Sequence, residues 1–158
     1  MRRTFSDEVY KLMKQNEDVF VLVGDLGYMV WDMVRKEFPE RFINTGAAEQ
    51  SMLDIAVGLS LSGKIPIVYS ITPFLLWRPA ETIRTYINHE KIKVIMVGSG
   101  RDKDYLHDGF SHDASDDKVL MGLFKNIKSI HPEDKKEVPD IVKEIIDADG
   151  PVYINLRK

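Results

Sequence analysis

The chain has 158 residues and no Cys, and its 22 Lys and Arg stand against 25 Asp and Glu for a net charge of −3. This length makes one domain the default, the lack of Cys excludes disulfides, thiolate zinc sites and a Cys nucleophile, and the mixed-sign, slightly acidic balance argues against nucleic acid as a main partner. No apolar run approaches the ~20 residues of a membrane span, and the start Met1-Arg2-Arg3-Thr4-Phe5-Ser6-Asp7 lacks the apolar core of a signal peptide, so a cytoplasmic protein without membrane contact is expected.

Phe5, Val9, Leu12 and Met13 share one face and predict a helix over 5–15, with Ser6, Asp7 and Glu8 in its first turn. The unbroken run 19–23, ending at Gly24-Asp25, reads as a strand buried on both faces. Residues 31–37 predict a short helix stopped by Pro39, and 41–44 a second strand. A longer helix follows over 48–62, with Met52, Ile55, Ala56 and Leu59 at core spacing and Gly63 as its C-cap. Residues 66–69 form a third strand, and 74–89 a helix in which Pro79 must lie near the first turn or make a kink. A fourth strand at 93–97 closes on Gly98-Ser99-Gly100. Residues 101–115 are polar and aperiodic and predict a long loop. A helix at 116–124, a short strand at 126–130, a charged amphipathic helix at 133–147 and a last strand at 152–156 complete the chain. This alternation predicts an α/β fold, a mostly parallel sheet of about six strands with helices on both faces.

Glu49 sits where an extended stretch, Phe42-Ile43-Asn44, turns through Gly46 into a long helix. In open α/β folds that edge of the sheet binds ligands. The same position also suits a carboxylate that merely favours the helix dipole, and no neighbouring basic residue in the sequence neutralises it. Gly58 to Lys64 fits seven positions of a phosphate-binding loop, but Ile65 stands where Ser or Thr should hold magnesium, and the glycines fall inside and after a helix. His107, Asp108, His112 and Asp113 are metal-ligand types, yet the two His are five apart and do not form a helical pair; a substrate-contacting loop, a plain surface loop and a metal site all stay open. Asp116 and Asp117 suit the start of a helix. Arg78, Glu81 and Arg84 at three-residue spacing read as a solvated ion-pair ladder, and Phe74 and Trp77 as core or as a platform for a flat ring.

The stretch Phe38-Pro39-Glu40-Arg41-Phe42-Ile43-Asn44-Thr45-Gly46-Ala47-Ala48-Glu49-Gln50 closely resembles the pyrimidine-binding domain of transketolase and the related deoxyxylulose-phosphate synthase. Gly24-Asp25-Leu26 is similar to that domain's Ala-Asp-Leu turn, Pro73-Phe74-Leu75 with Arg78 and Glu81 to the start of its aromatic helix, and Asp108-Gly109 with Ser111-His112 to its Asp-Gly-Pro-Thr-His loop. Asn155-Leu156-Arg157 is similar to the Ser-Arg that ends the domain, so the likeness spans nearly the whole chain.

This resemblance implies thiamine diphosphate as cofactor, with Glu49 on a ring nitrogen of its aminopyrimidine, sharing the proton that activates the thiazolium carbon. It implies Phe74 and Trp77 along that ring, with Arg78 on the same helix and Asp25, near the cofactor or a subunit seam, as further cofactor-binding residues. It implies Asp108 on a substrate hydroxyl, His112 as a catalytic group facing the reacting sugar carbons, and Arg157, with Arg3, on a sugar phosphate. Ala80 replaces an expected aromatic residue and Asp113 a second His, and the Ser of the phosphate site falls around Tyr28-Met29. The Gly-Asp-Gly motif and later Asn that hold magnesium and diphosphate are missing, as is the C-terminal third domain. Residues 1–158 are therefore expected to be a single pyrimidine-binding domain. They would form one subunit of a split transketolase-like enzyme, inert alone, holding no metal itself, self-associating and assembled with a separate diphosphate- and magnesium-binding subunit in a heterotetramer that acts on sugars or sugar phosphates. A split 2-oxo-acid decarboxylase or other carboligase, a non-catalytic assembly module, a metal hydrolase using His107 and His112, and a fragment of a longer chain are the alternatives.

Overall fold

The computed structural model describes residues 1–158. Six strands, β1 (Val19–Val23), β2 (Phe42–Asn44), β3 (Ile65–Ile71), β4 (Ile95–Ser99), β5 (Lys128–Ile130) and β6 (Val152–Leu156), form one sheet in the order β2-β1-β3-β4-β6-β5. Every pairing is parallel, with Leu22 opposite both Ile43 and Val68, and Val97 opposite both Tyr69 and Ile154. The fold is thus α/β, as expected, and its sheet is wholly parallel.

Successive strand residues face opposite sides, and both sides are apolar. Val19, Val21, Val23, Ile67, Ile95, Val97 and Ile154 point into one core with α1 (Arg2–Met13), α2 (Asp32–Glu37) and α7 (Val138–Asp147). Leu22, Val68, Met96 and Tyr153 point into the other with α3 (Glu49–Leu61), α4 (Thr72–Trp77) and α6 (Asp117–Met121). This double burial is why the strands read as continuous apolar runs. No helix is long and apolar enough to cross a membrane.

Several boundaries differ from expectation. Helix α1 starts at Arg2, which puts Ser6, Asp7 and Glu8 beyond its first turn. Gly98 and Ser99 belong to β4 and do not close it. The helix expected over 74–89 is broken: α4 ends at Trp77, a short α5 (Ala80–Thr82) follows Pro79, and a π-helical stretch runs over Ile83–His89. Pro79 explains the break, because it has no N–H for the ladder and its ring crowds the preceding turn. The 101–115 segment carries two short 3-10 turns, Leu106–Asp108 and Phe110–His112, and is closed by a bridge between Asp102 and Ala114. Gly63 follows α3 at φ +81°, the left-handed geometry of a helix C-cap, and Gly58 lies inside α3; neither belongs to a phosphate-binding loop.

Candidate active site

From β1 the chain runs outward to β2, whereas β3 lies on the other side of β1. The C-terminal ends of β1 and β3 are therefore the switch point of the sheet, where such folds open a crevice. Glu49, the first residue of α3, lies there and is 1% exposed. Its oxygens do not cap its own helix. Ser70, in β3, donates from Oγ to Oε1 at 2.8 Å, and Arg78 donates from Nη1 to Oε2 at 2.6 Å. Gly24, just past β1, makes the arrangement possible: a Cβ there would lie 3.0 Å from Glu49 Oε1 and 3.1 Å from Ser70 Oγ.

Two sequence expectations are corrected by this geometry. Glu49 does have a basic partner, because α4 returns Arg78 to the switch point from 29 residues further along the chain. The Arg78, Glu81 and Arg84 ladder does not form, since Arg78 faces Glu49 and the Glu81 carboxylate accepts from Thr85 Oγ1 at 2.9 Å.

Phe74 joins the cluster. The Arg78 guanidinium carbon lies 3.9 Å over its ring centroid, and the His112 ring meets it edge-on at 4.9 Å and 68°. The 101–115 loop thus brings His112 to the aromatic helix from more than thirty residues away. Trp77, on the same helix, is 52% exposed and does not line a closed pocket in this chain alone. Asp25 follows Gly24 at φ +55° and accepts from Asn44 Nδ2 at 3.2 Å, on the side of the crevice between β1 and β2. Leu26, Gly27, Tyr28 and Trp31 line a small cavity with it.

The remaining candidates lie apart from Glu49. Asp108 is exposed and pairs with His107 at 3.4 Å. Arg157 is half-buried among three carboxylates, at 3.4 Å from Asp102, 4.0 Å from Asp104 and 3.9 Å from Glu133. Arg3 is exposed and makes no side-chain hydrogen bond or ion pair, whereas neighbouring Arg2 donates to Tyr105 Oη at 2.6 Å. His107 and His112 belong to no group of three or more His, Asp or Glu side chains that could hold a metal ion.

Two clusters escaped the sequence reading. Gln50 Nε2 donates to Thr82 Oγ1 at 2.6 Å, and Thr82 donates to Asp54 at 2.7 Å, pinning α5 to α3. Asp117, expected only as a helix-start charge, is 2% exposed. Its Oδ2 accepts from Asn155 Nδ2 at 2.6 Å and Tyr153 Oη at 2.9 Å, and lies 3.0 Å from His131 Nε2. Burial raises the Asp117 carboxyl, but the hydrogen bonds from His131, Asn155 and Tyr153 outweigh it and hold the group below the usual carboxylate range. Burial, and then the Asp117 charge, push the Tyr153 hydroxyl well above its ordinary value. The polar Asn155 inside an otherwise apolar last strand was the one visible sign of this cluster.

Residues 1–158 match the family model of the transketolase pyrimidine-binding domain. The chain belongs to this family. A protein of Methanocaldococcus jannaschii, provisionally named a transketolase C-terminal section, is 34% identical over 159 residues, covering 100% of this chain and 50% of its own. An apulose-4-phosphate transketolase subunit of Actinobacillus succinogenes is 35% identical over 121 residues, 77% of this chain and 39% of the relative. A solved structure described as a split-gene transketolase, an inactive beta4 tetramer, superposes with a TM-score of 0.85 at 34% identity over 99% of this chain and 50% of that one. The chain spans about half the length of the relatives it matches, or less. Within the family's fold, the Glu49, Ser70, Arg78, Phe74 and His112 group occupies the switch-point crevice.

Proposed function

We propose that this chain is the pyrimidine-binding half of a thiamine-diphosphate-dependent, transketolase-like transferase that moves a two-carbon ketol unit between sugars. The observation that carries the reading is the Glu49 carboxylate. It is buried at the switch point, yet its only non-Ser partner reaches in from a side chain that is 43% exposed. A buried carboxylate whose second oxygen is closed by a movable group is suited to take a ligand's proton-bearing nitrogen.

The residues present fit an aminopyrimidine. Phe74 offers an aromatic face beside the carboxylate, and that face already accepts a flat, hydrogen-bond-donating cation. Gly24 leaves room that any Cβ would take. Phe74 would stack on the ring, Glu49 would hold a proton at a ring nitrogen, and Ser70 would fix the carboxylate. Trp77, where the expected aromatic neighbour is Ala80, would close the ring from its exposed side once a second subunit packs over it. When bound, the cofactor supplies an electron sink for carbon–carbon bond cleavage and formation. This chain's contribution is to orient the Glu49 oxygens and to keep bulk water from them.

On the substrate side, His112 is held against Phe74 and would face the reacting carbons, and Asp108 in the same loop would meet a hydroxyl. Arg157 and Arg3 would take a phosphate. Arg157 must then exchange its three carboxylate neighbours for that anion, whereas Arg3 has no partner to give up. Residues 1–158 act as one domain, and the diphosphate with its magnesium falls to a separate subunit in a heterotetramer that also joins copies of this chain. Phe110, 88% exposed, and Tyr28, 82% exposed, stand in the loops around the crevice, and on this reading they lie where the partner subunit would pack.

Co-expression with a chain carrying a diphosphate-binding domain, followed by ketol-transfer assays at saturating thiamine diphosphate, tests the reading. Glu49→Gln should leave the circular dichroism unchanged and lower kcat by about 10² or more, the scale of a positioned acid–base group. Wild-type turnover of that variant would falsify the role of Glu49.

A further inference from the structure

We infer that Arg78 is a built-in occupant of the pyrimidine site, a self-ligand that the incoming ring must displace. This rests on the reading of Glu49 and Phe74 as the site of that ring. The guanidinium stacks 3.9 Å over Phe74 while Nη1 donates to Glu49 Oε2 at 2.6 Å. A planar cation that lies on an aromatic face and gives an N–H to a carboxylate makes the face and edge contacts that a protonated aminopyrimidine needs. Both would call on Glu49 Oε2 and the Phe74 ring, since Ser70 already donates to Oε1 and the His112 ring already packs edge-on against Phe74.

Arg78 is also the part able to move. Glu49 is its one side-chain hydrogen-bond partner, and 43% of its side chain is open to solvent. It is the C-cap of α4, directly before the break at Pro79. Glu49 is fixed by contrast, 1% exposed and held by Ser70. The guanidinium gives the carboxylate a counter-charge, and a buried carboxylate left without one is strongly destabilising. The ring relieves the same need when it arrives, so the carboxylate passes from an internal cation to an external one.

A self-ligand seated in about 90% of molecules weakens apparent affinity about tenfold. The test uses the purified chain and 4-amino-5-hydroxymethyl-2-methylpyrimidine, the ring without its diphosphate, with NMR of the Glu49 carboxyl carbon, the Phe74 ring and the Arg78 side-chain nitrogens. Arg78→Met should bind the pyrimidine about tenfold more tightly than wild type, and Arg78→Lys, which keeps charge but loses the planar stack, should fall between them. In wild type, which needs no substitution to fold, the pyrimidine should move the Arg78 nitrogens towards the signals of a free arginine. Glu49→Gln should abolish binding in both backgrounds. If the pyrimidine shifts Glu49 and Phe74 while Arg78 stays still, or while Arg78→Met binds no tighter, the self-ligand is overturned and the site reading stands. If it shifts neither Glu49 nor Phe74 in wild type or Arg78→Met, both fall together.

Discussion

Asp117 and Glu49 are both carboxylates at the start of a helix, and both are buried. They differ in how they are satisfied. Three donors converge on one oxygen of Asp117, all from side chains inside the fold, so its charge is locked. Its folded-state value lies below the ordinary one, so its stabilisation is fully present above the unfolded value near ~3.9 and is lost as pH falls through the folded value. Asp117→Asn should therefore lower the urea midpoint near neutral pH and flatten its decline below about pH 5, a comparison read from unfolding curves at each pH. An unchanged acid limb would mean that other carboxylates govern it. Glu49, with one fixed donor and one half-exposed donor, is a charge held ready for exchange. Neither partnership was legible in the sequence. Spacing rules report neighbours on one helix, whereas Arg78 reaches Glu49, and Asn155 reaches Asp117, from elements distant in the sequence. The position of Glu49 itself was legible, because a strand, a turn and an apolar helix follow one another there.

Helix α4 shows the same division among elements. Its apolar pattern continues through 74–89, so periodicity alone predicts one helix. Pro79 was visible as a disturbance, but its consequence depends on what receives the freed backbone. Here α5 is caught by Thr82 on Gln50 and Asp54 of α3, and the chain widens into a π-helical stretch. Strands β1, β3, β4 and β6 were legible as apolar runs because both faces of the sheet are covered. Helix α3 also stops where the sequence placed its end. Gly63, at φ +81°, adopts a conformation that costs an L-residue about 1 kcal/mol or more. Gly63→Ala should therefore lower Tm by about 2–4 °C for a domain of this size, measured by thermal unfolding, without altering ligand binding at Glu49.

At the scale of the molecule, the sheet order brings Gly24, Glu49 and Ser70 together, and the loops after β1 and β4 surround them with solvent-facing aromatic side chains. The sequence offers no measure of that exposure, because Phe110 and Tyr28 read as ordinary aromatic residues until the fold leaves them uncovered. On the proposed assembly this end is covered by another subunit. Phe110→Asp should leave the Tm of the isolated chain unchanged, since its ring is 88% exposed, and should raise the Kd for a diphosphate-binding partner by about tenfold or more, as analytical ultracentrifugation or calorimetry would show. An equal Kd would place the partner elsewhere.

The two strands at the borders of the sheet, β2 and β5, have only three residues each. An open border offers unpaired backbone groups to any passing chain, and a very short one offers too few to hold it. Both ends of the ladder are thus nearly closed to β-strand addition. Copies of this chain have little means of stacking into a continuous ribbon, even when their concentration is high. The contacts left to it are those between helices and loops, where geometry rather than backbone pairing selects what binds.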